Sequence, residues 1–210
     1  MDEIDSFFGA CYEDRLEEVA ARLDEDATLI HARRIGGRTP LHQAAFGGGL
    51  RVAALLIHRG ADVNATSDYG WVPLHYAAAP ASVSVAELLV RSGAAINVAN
   101  GDGSTPLHFA VDFGKLPMVE LLLLRGAAVN TRDQEGRTPL DYAAADSDLA
   151  RLLRSKGAVP GVTIVAEVRR ADFPKWLQGH EGAIGQLLDA VENQWNLPKR
   201  GQMDKSEDCK

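Results

Sequence analysis

At 210 residues, 46% hydrophobic and 24% charged, the chain has the make-up of one well-buried soluble domain, or of a domain plus an appendage, not of a disordered polymer. Its net charge of −7 argues against nucleic acid as the main ligand, because phosphate binding needs clustered Lys and Arg. Cys11 and Cys209 alone make no disulfide framework, the acidic start MDEIDSFFGACYEDR lacks a secretory pattern, and no apolar run reaches the roughly 18–20 residues of a bilayer span. A soluble protein with no membrane partner, in the cytoplasm or the nucleus, is therefore expected.

In chain order, Leu16, Val19 and Leu23 first form a helical stripe between Ala10 and Ala32 amid dense charge, with Asp26 closing it. From Gly37 the sequence repeats itself. Gly37, Gly70, Gly103 and Gly136 stand 33 residues apart, opening GRTPLHQAA, GWVPLHYAA, GSTPLHFAV and GRTPLDYAA. A second motif keeps the same register: LLIHRGADVN, LLVRSGAAIN and LLLLRGAAVN end at Asn64, Asn97 and Asn130.

Each opening predicts a short helix. Thr39-Pro40, Thr105-Pro106 and Thr138-Pro139 pair an N-cap hydroxyl with a proline at the first helical position, where its missing N–H costs nothing. Leu41, Ala44 and Ala45 then share one face, and the small alanines allow close stacking. A second helix follows in each unit. Its expected stripes are Leu50, Ala53, Leu55, Leu56 and Ile57; Val83, Ala86, Leu88 and Leu89; and Leu116, Val119, Leu121 and Leu122. Gly60, Gly93 and Gly126 end these helices in the left-handed region.

The unit opening at Gly136 reaches its closing Gly157 after 21 residues, against 23 from Gly37 to Gly60, which predicts a shortened inter-helix turn near Asp146–Asp148. Beyond Pro160 the repeat stops. Val162, Ile164, Ala166 and Val168 alternate as in a short strand, and Ile184, Leu187, Leu188, Val191 and Trp195 mark an amphipathic helix ending before Pro198. From Lys199 the composition is that of a disordered end.

On these motifs the chain resembles the ankyrin-repeat family, whose unit is a β-turn followed by two antiparallel helices, over roughly Phe8 to Gly157. The resemblance implies an all-α ankyrin-repeat solenoid with a C-terminal helical extension. Expected divisions are a capping repeat at 1–36, repeats at 37–69, 70–102 and 103–135, a shortened repeat at 136–159, an extension at 160–198 and a disordered tail at 199–210.

Catalytic and metal chemistry is not expected, and no cofactor is implied. His42, His75 and His108 recur on the period, but stacked helices lie about 8–10 Å apart and zinc ligands must each come within about 2.0–2.1 Å of one ion. In the resembled family this histidine hydrogen-bonds between neighbouring turns, and Asp141 takes its place in the last unit. Gly47-Gly48-Gly49 lacks the lysine and hydroxyl of a phosphate loop, Gly101–Thr105 lacks calcium-loop ligand spacing, and His180-Glu181 stands without a nucleophile or metal set. Asn64, Asn97 and Asn130 read as hairpin hydrogen-bonders, while the resemblance also puts them where an asparaginyl hydroxylase can act.

The resemblance implies a scaffold that binds a protein or peptide through its turn tips and concave inner helices, as a monomer. Those positions carry Arg34, Ile35 and Arg38; Asp68, Tyr69 and Trp71; Asp102 and Ser104; and Glu135 and Arg137. First helices end at Phe46, Ala79-Pro80 and Asp112-Phe113. In a chain with only 6% aromatics, Phe46, Tyr69, Trp71 and Phe113 are the expected anchor, rimmed by Arg34, Arg38 and Asp102. Phe173, Trp176 and Trp195 either cap the last repeat or dock a second protein, which would make the chain an adaptor.

Overall fold

A computed structural model describes residues 3–78 and 82–161. The strand at 162–168, the helix of the extension, Phe173, Trp176, Trp195, the tail and Ala79-Pro80 lie outside the described residues.

Within these, helices come in pairs. First helices are α1 (Glu3–Tyr12), α3 (Pro40–Gly47), α5 (Pro73–Ala78) and α7 (Pro106–Asp112); second helices are α2 (Leu16–Glu25), α4 (Leu50–His58), α6 (Val83–Arg91), α8 (Leu116–Leu124) and α9 (Asp148–Ser155). Each row stacks in order, α1 on α3 on α5 on α7, and α2 on α4 on α6 on α8 on α9, so the chain builds two helical layers. The sole strand-like pairing among the described residues is one isolated bridge between Arg34 and Arg38.

The threonine-proline starts form helices for a reason beyond the hydroxyl. Backbone N–H groups of Thr39, Val72 and Thr105 donate to Nδ1 of His42, His75 and His108 at 3.0, 3.2 and 3.0 Å, so an imidazole three residues on supplies the capping acceptor. Asp141 does the same with its carboxylate, 2.7 Å from the Thr138 nitrogen. That is why Val72 can replace threonine in the second opening without losing the helix.

Between the layers lies the core. Leu41, Leu74 and Leu107 and the following alanines are buried from one side. On the other the buried triplets are Val52, Ala53 and Leu56; Val85, Ala86 and Leu89; and Met118, Val119 and Leu122. The stripe is therefore rotated from the expected one. Leu50, placed inside by the sequence pattern, is 41% exposed, although Val83 and Leu116 at the same position of α6 and α8 pack against the core.

The first unit is more complete than its sequence suggests. Helix α1, with Phe7 and Phe8 fully buried and edge-to-face at 6.2 Å, supplies a first helix that the Leu16–Leu23 stripe alone did not reveal. Asp26 ends α2, and its carboxylate accepts the Thr28 N–H at 2.9 Å to start a 3-10 turn at Ala27–His31.

The last unit departs from expectation at its front. The expected short inter-helix turn is instead longer: the first helix shrinks to a single four-residue 3-10 turn at Pro139–Tyr142, against eight residues in α3, and residues 143–147 join it to α9, where Ser147 caps the helix by accepting the Ala150 N–H at 3.1 Å. Among the described residues this turn packs on α7 on one side only, so a longer helix there has less surface to bury.

Asparagines stitch the second-helix hairpins together. Asn97 Oδ1 accepts the Ala128 N–H at 2.7 Å and its Nδ2 donates to Gly126 O at 3.2 Å; Asn64 and Asn130 repeat this with Ala95 and Gly93, and with Val159 and Gly157. Asn97→Ala is expected to cost about 1–2 kcal/mol in urea unfolding. A change within error would mean that water replaces both bonds at no cost.

Candidate functional site

The turn tips form a second ladder beside the helices. Each turn is closed on itself, as where Ser67 N–H donates to Trp71 O at 2.8 Å and Asn100 N–H to Ser104 O at 2.9 Å. Successive turns are joined by Asp68 N–H to Gly36 O at 3.0 Å, Gly101 N–H to Tyr69 O at 2.8 Å and Gln134 N–H to Asp102 O at 2.9 Å. Tyr69 and Asp102 are thus held by their own backbones on a rigid edge.

Against this edge lies a groove of about 510 Å³. Phe46 enters from the end of α3, Tyr69 and Trp71 from the second turn, Tyr76 from α5, Phe109 from α7 and Phe113 from just beyond it; Asp102 and Asp112 complete the lining. Phe46, Tyr76, Trp71 and Phe109 touch in a chain. Trp71 lies 4.4 Å from Phe109 and 5.1 Å from Tyr76, Tyr76 6.0 Å from Phe46, and Phe46 5.8 Å from Tyr12. Tyr69, Phe113 and Phe46 are 68%, 52% and 40% exposed, whereas Trp71 is half-buried beneath them.

Phe46, Tyr69, Trp71, Asp102, Asp112 and Phe113 are therefore brought together. Tyr76 and Phe109 were missed by sequence reasoning. Their signal was present, since both follow the recurring histidine by one residue, about 100° round the helix from the face that points into the turn.

Other expected positions are engaged elsewhere. Ser104 is buried at 7% and is corrected as an outward-facing residue: its N–H donates to Asn100 Oδ1 at 2.8 Å and its carbonyl faces His75 Nε2 at 3.1 Å. Arg34 is ion-paired with Asp5 of α1 at 3.0 Å. Arg137 donates from Nε to Asp133 at 2.8 Å, pairs with Glu135 at 2.8 Å and lies 4.7 Å over the Tyr142 ring, so these two exposed-turn candidates largely satisfy each other. Burial alone would raise the Asp133 carboxyl, but hydrogen bonds from Tyr142 and Arg137 hold it below the usual range. Arg38 is half-buried and Asp68 exposed, and neither lines the groove.

The histidine column is fixed chemically as well as spatially. Because a backbone N–H can only donate, Nδ1 must be the acceptor, so each Nε2 carries the proton and donates to Trp71, Ser104 or Arg137 O at 3.0, 3.1 and 3.4 Å. Both nitrogens of each ring are used, which leaves none to act as a general base. Burial pushes His42 and His75 down to about 4, and His108 in the same direction. The Cys11 thiol is pushed up to about 12 by burial and then by Glu18. Among the described residues no group of three or more His, Cys, Asp or Glu could hold a metal, and no helix is long and apolar enough to cross a membrane.

A family model described as ankyrin repeats (3 copies) matches residues 7–100 and 74–164. Among curated proteins the chain is similar to the serine/threonine-protein kinase VIK of Arabidopsis thaliana, 54% identical over 43 residues, 20% of this chain and 10% of that protein. It is similar too to ankyrin repeat and KH domain-containing protein 1 of Homo sapiens, 45% identical over 56 residues, 27% of this chain and 2% of that one. Ankyrin repeat and KH domain-containing protein mask of Drosophila melanogaster gives 45% over 56 residues, again 27% of this chain but 1% of that protein. The chain thus spans a tenth or less of the length of these relatives.

Proposed function

Because the chain belongs to the ankyrin-repeat family, whose repeats are generally protein–protein interaction modules, we propose that it is a non-catalytic scaffold holding a partner protein or peptide in the aromatic groove. The observation that carries this is the gathering of six aromatic rings in one groove across three repeats, in a chain with six Phe, three Trp and four Tyr in all. Exposed rings on a backbone-locked edge give large contact area at small ordering cost, which is what a binding hot spot needs. The recurring histidines, each held neutral by burial and bonded at both nitrogens, act in the scaffold and not in turnover. The net charge of −7 and the buried, unreactive Cys11 suit a monomer in the cytoplasm or nucleus.

The test compares proteins captured by the full chain, by a Tyr69→Ala/Phe113→Ala variant and by Leu124→Ala, an exposed residue outside the groove. A partner kept by the parent and by Leu124→Ala, but weakened about thirtyfold by the groove variant in a titration, supports the proposal. An unchanged set with the folded groove variant overturns it.

A further inference from the structure

The chemistry of the groove says more about its occupant than its shape does. Around the rings its charged lining consists of Asp102 and Asp112, and among the described residues neither carboxylate has an ion-pair partner. Among the described residues no Lys or Arg lines it, and Arg38 acts on the Tyr76 phenol from beside the groove.

Aromatic rings present negative potential over their faces, and the two carboxylates in the lining add to it. An anionic side chain there would meet both, and a purely apolar one would leave both carboxylates partly desolvated and unpaired. A cation is favoured by each component at once. The chain's charge of −7 would further speed the approach of a basic segment.

The next repeat shows the same recognition satisfied internally. There Arg137 lies over the Tyr142 ring with Asp133 beside it, a turn residue above an aromatic five positions on. The equivalent step in the third repeat runs from Ser104 to Phe109; Ser104 supplies no charge, and Phe109 borders the groove.

We infer that the groove binds a basic peptide segment of the partner, with a lysine or arginine side chain seated among Trp71, Phe109 and Phe113 and paired with Asp102 and Asp112. This rests on the interaction reading above and names its ligand. A volume of about 510 Å³ holds one such side chain together with its neighbours, which suits a peptide better than a lone ion.

The experiment uses the full chain and pools of fluorescein-labelled peptides with randomised flanks around one fixed central residue: arginine, lysine, trimethyllysine, norleucine or glutamate. Cationic pools are expected to bind about tenfold tighter than norleucine, with glutamate weakest, and an Asp102→Asn/Asp112→Asn variant should erase most of that preference. Preference for trimethyllysine over lysine would assign more of the recognition to the rings, and equal binding more to the carboxylates; either supports a cation site. Norleucine binding as well as the cations, or no pool binding, overturns the inference. If cellular partners still depend on Tyr69 and Phe113 in that case, the interaction role stands without it; if they do not, both fall.

Discussion

Lowering the pH from 7.5 to 5 is expected to remove about 4 kcal/mol from the stability of the repeat array, much of what a domain of this size possesses. The loss comes from His42 and His75. Folded, both are held near 4 by burial; unfolded, they return to about 6.5. Between those values the unfolded chain binds protons that the folded chain refuses, so stability is full above about pH 6.5 and falls as the pH drops toward 4. At pH 5 the linkage amounts to about 2 kcal/mol for each residue, and His108 adds to it in the same sense. The structural reason is the fixed tautomer: a proton on Nδ1 would face the backbone N–H that this atom now accepts, unseating the start of the helix. Urea unfolding at pH 7.5, 6 and 5 measures the trend. His75→Gln should be less stable at pH 7.5 yet lose about 2 kcal/mol less on acidification, which separates this histidine from general charge effects. Asp133 does not confuse the result, since its depressed carboxyl matters only below the ordinary carboxylate range. Equal stability at pH 7.5 and 5 would refute the locked-imidazole account.

The architecture was readable because its causes are local and repeated. Each Thr-Pro start, each Gly after a leucine run and each period glycine has a reason within a few residues, and the 33-residue register then stacks equivalent positions. The same register made part of the groove legible: Phe46, Tyr69, Trp71 and Phe113 meet because turn tips and first-helix ends lie on one edge. What failed depended on partners distant in sequence. Nothing near Arg34 announces Asp5, which arrives on a helix with no threonine-proline start. Ser104 looked exposed in a turn, but its carbonyl is where the histidine of the preceding repeat must land, and that draws the residue inward. Tyr76 and Phe109 sat inside the most regular stretch of the motif, where regularity disguised a position that varies from Gln43 to Tyr142.

The period glycines give the second large effect, and Gly103 set against Gly126, the helix-closing glycine of the same unit, isolates its cause. Gly103 has φ of 79°, and a Cβ there would lie 2.9 Å from the Gln134 nitrogen and 3.0 Å from Asp133 Cα, so the next turn leaves no room for it. Gly126 has φ of 91° but nothing within 4 Å of its missing Cβ. Alanine at either site must take a left-handed conformation, at about 1–2 kcal/mol. Only at Gly103 must backbone also move, and backbone cannot rotate aside as a side chain can. Gly103→Ala is therefore expected to cost about 3 kcal/mol or more in urea unfolding, against about 1–2 for Gly126→Ala. The excess has a local address, because the shift would lengthen the Gln134 N–H bond to Asp102 O and expose that amide to exchange. Faster hydrogen exchange at Gln134 in Gly103→Ala, absent in Gly126→Ala, would show that close stacking of turns, and not conformational preference alone, keeps glycine on the period. Equal costs for the two variants would show that the turns have slack, and the rigid edge that presents Tyr69 and Asp102 to a partner would lose its physical basis.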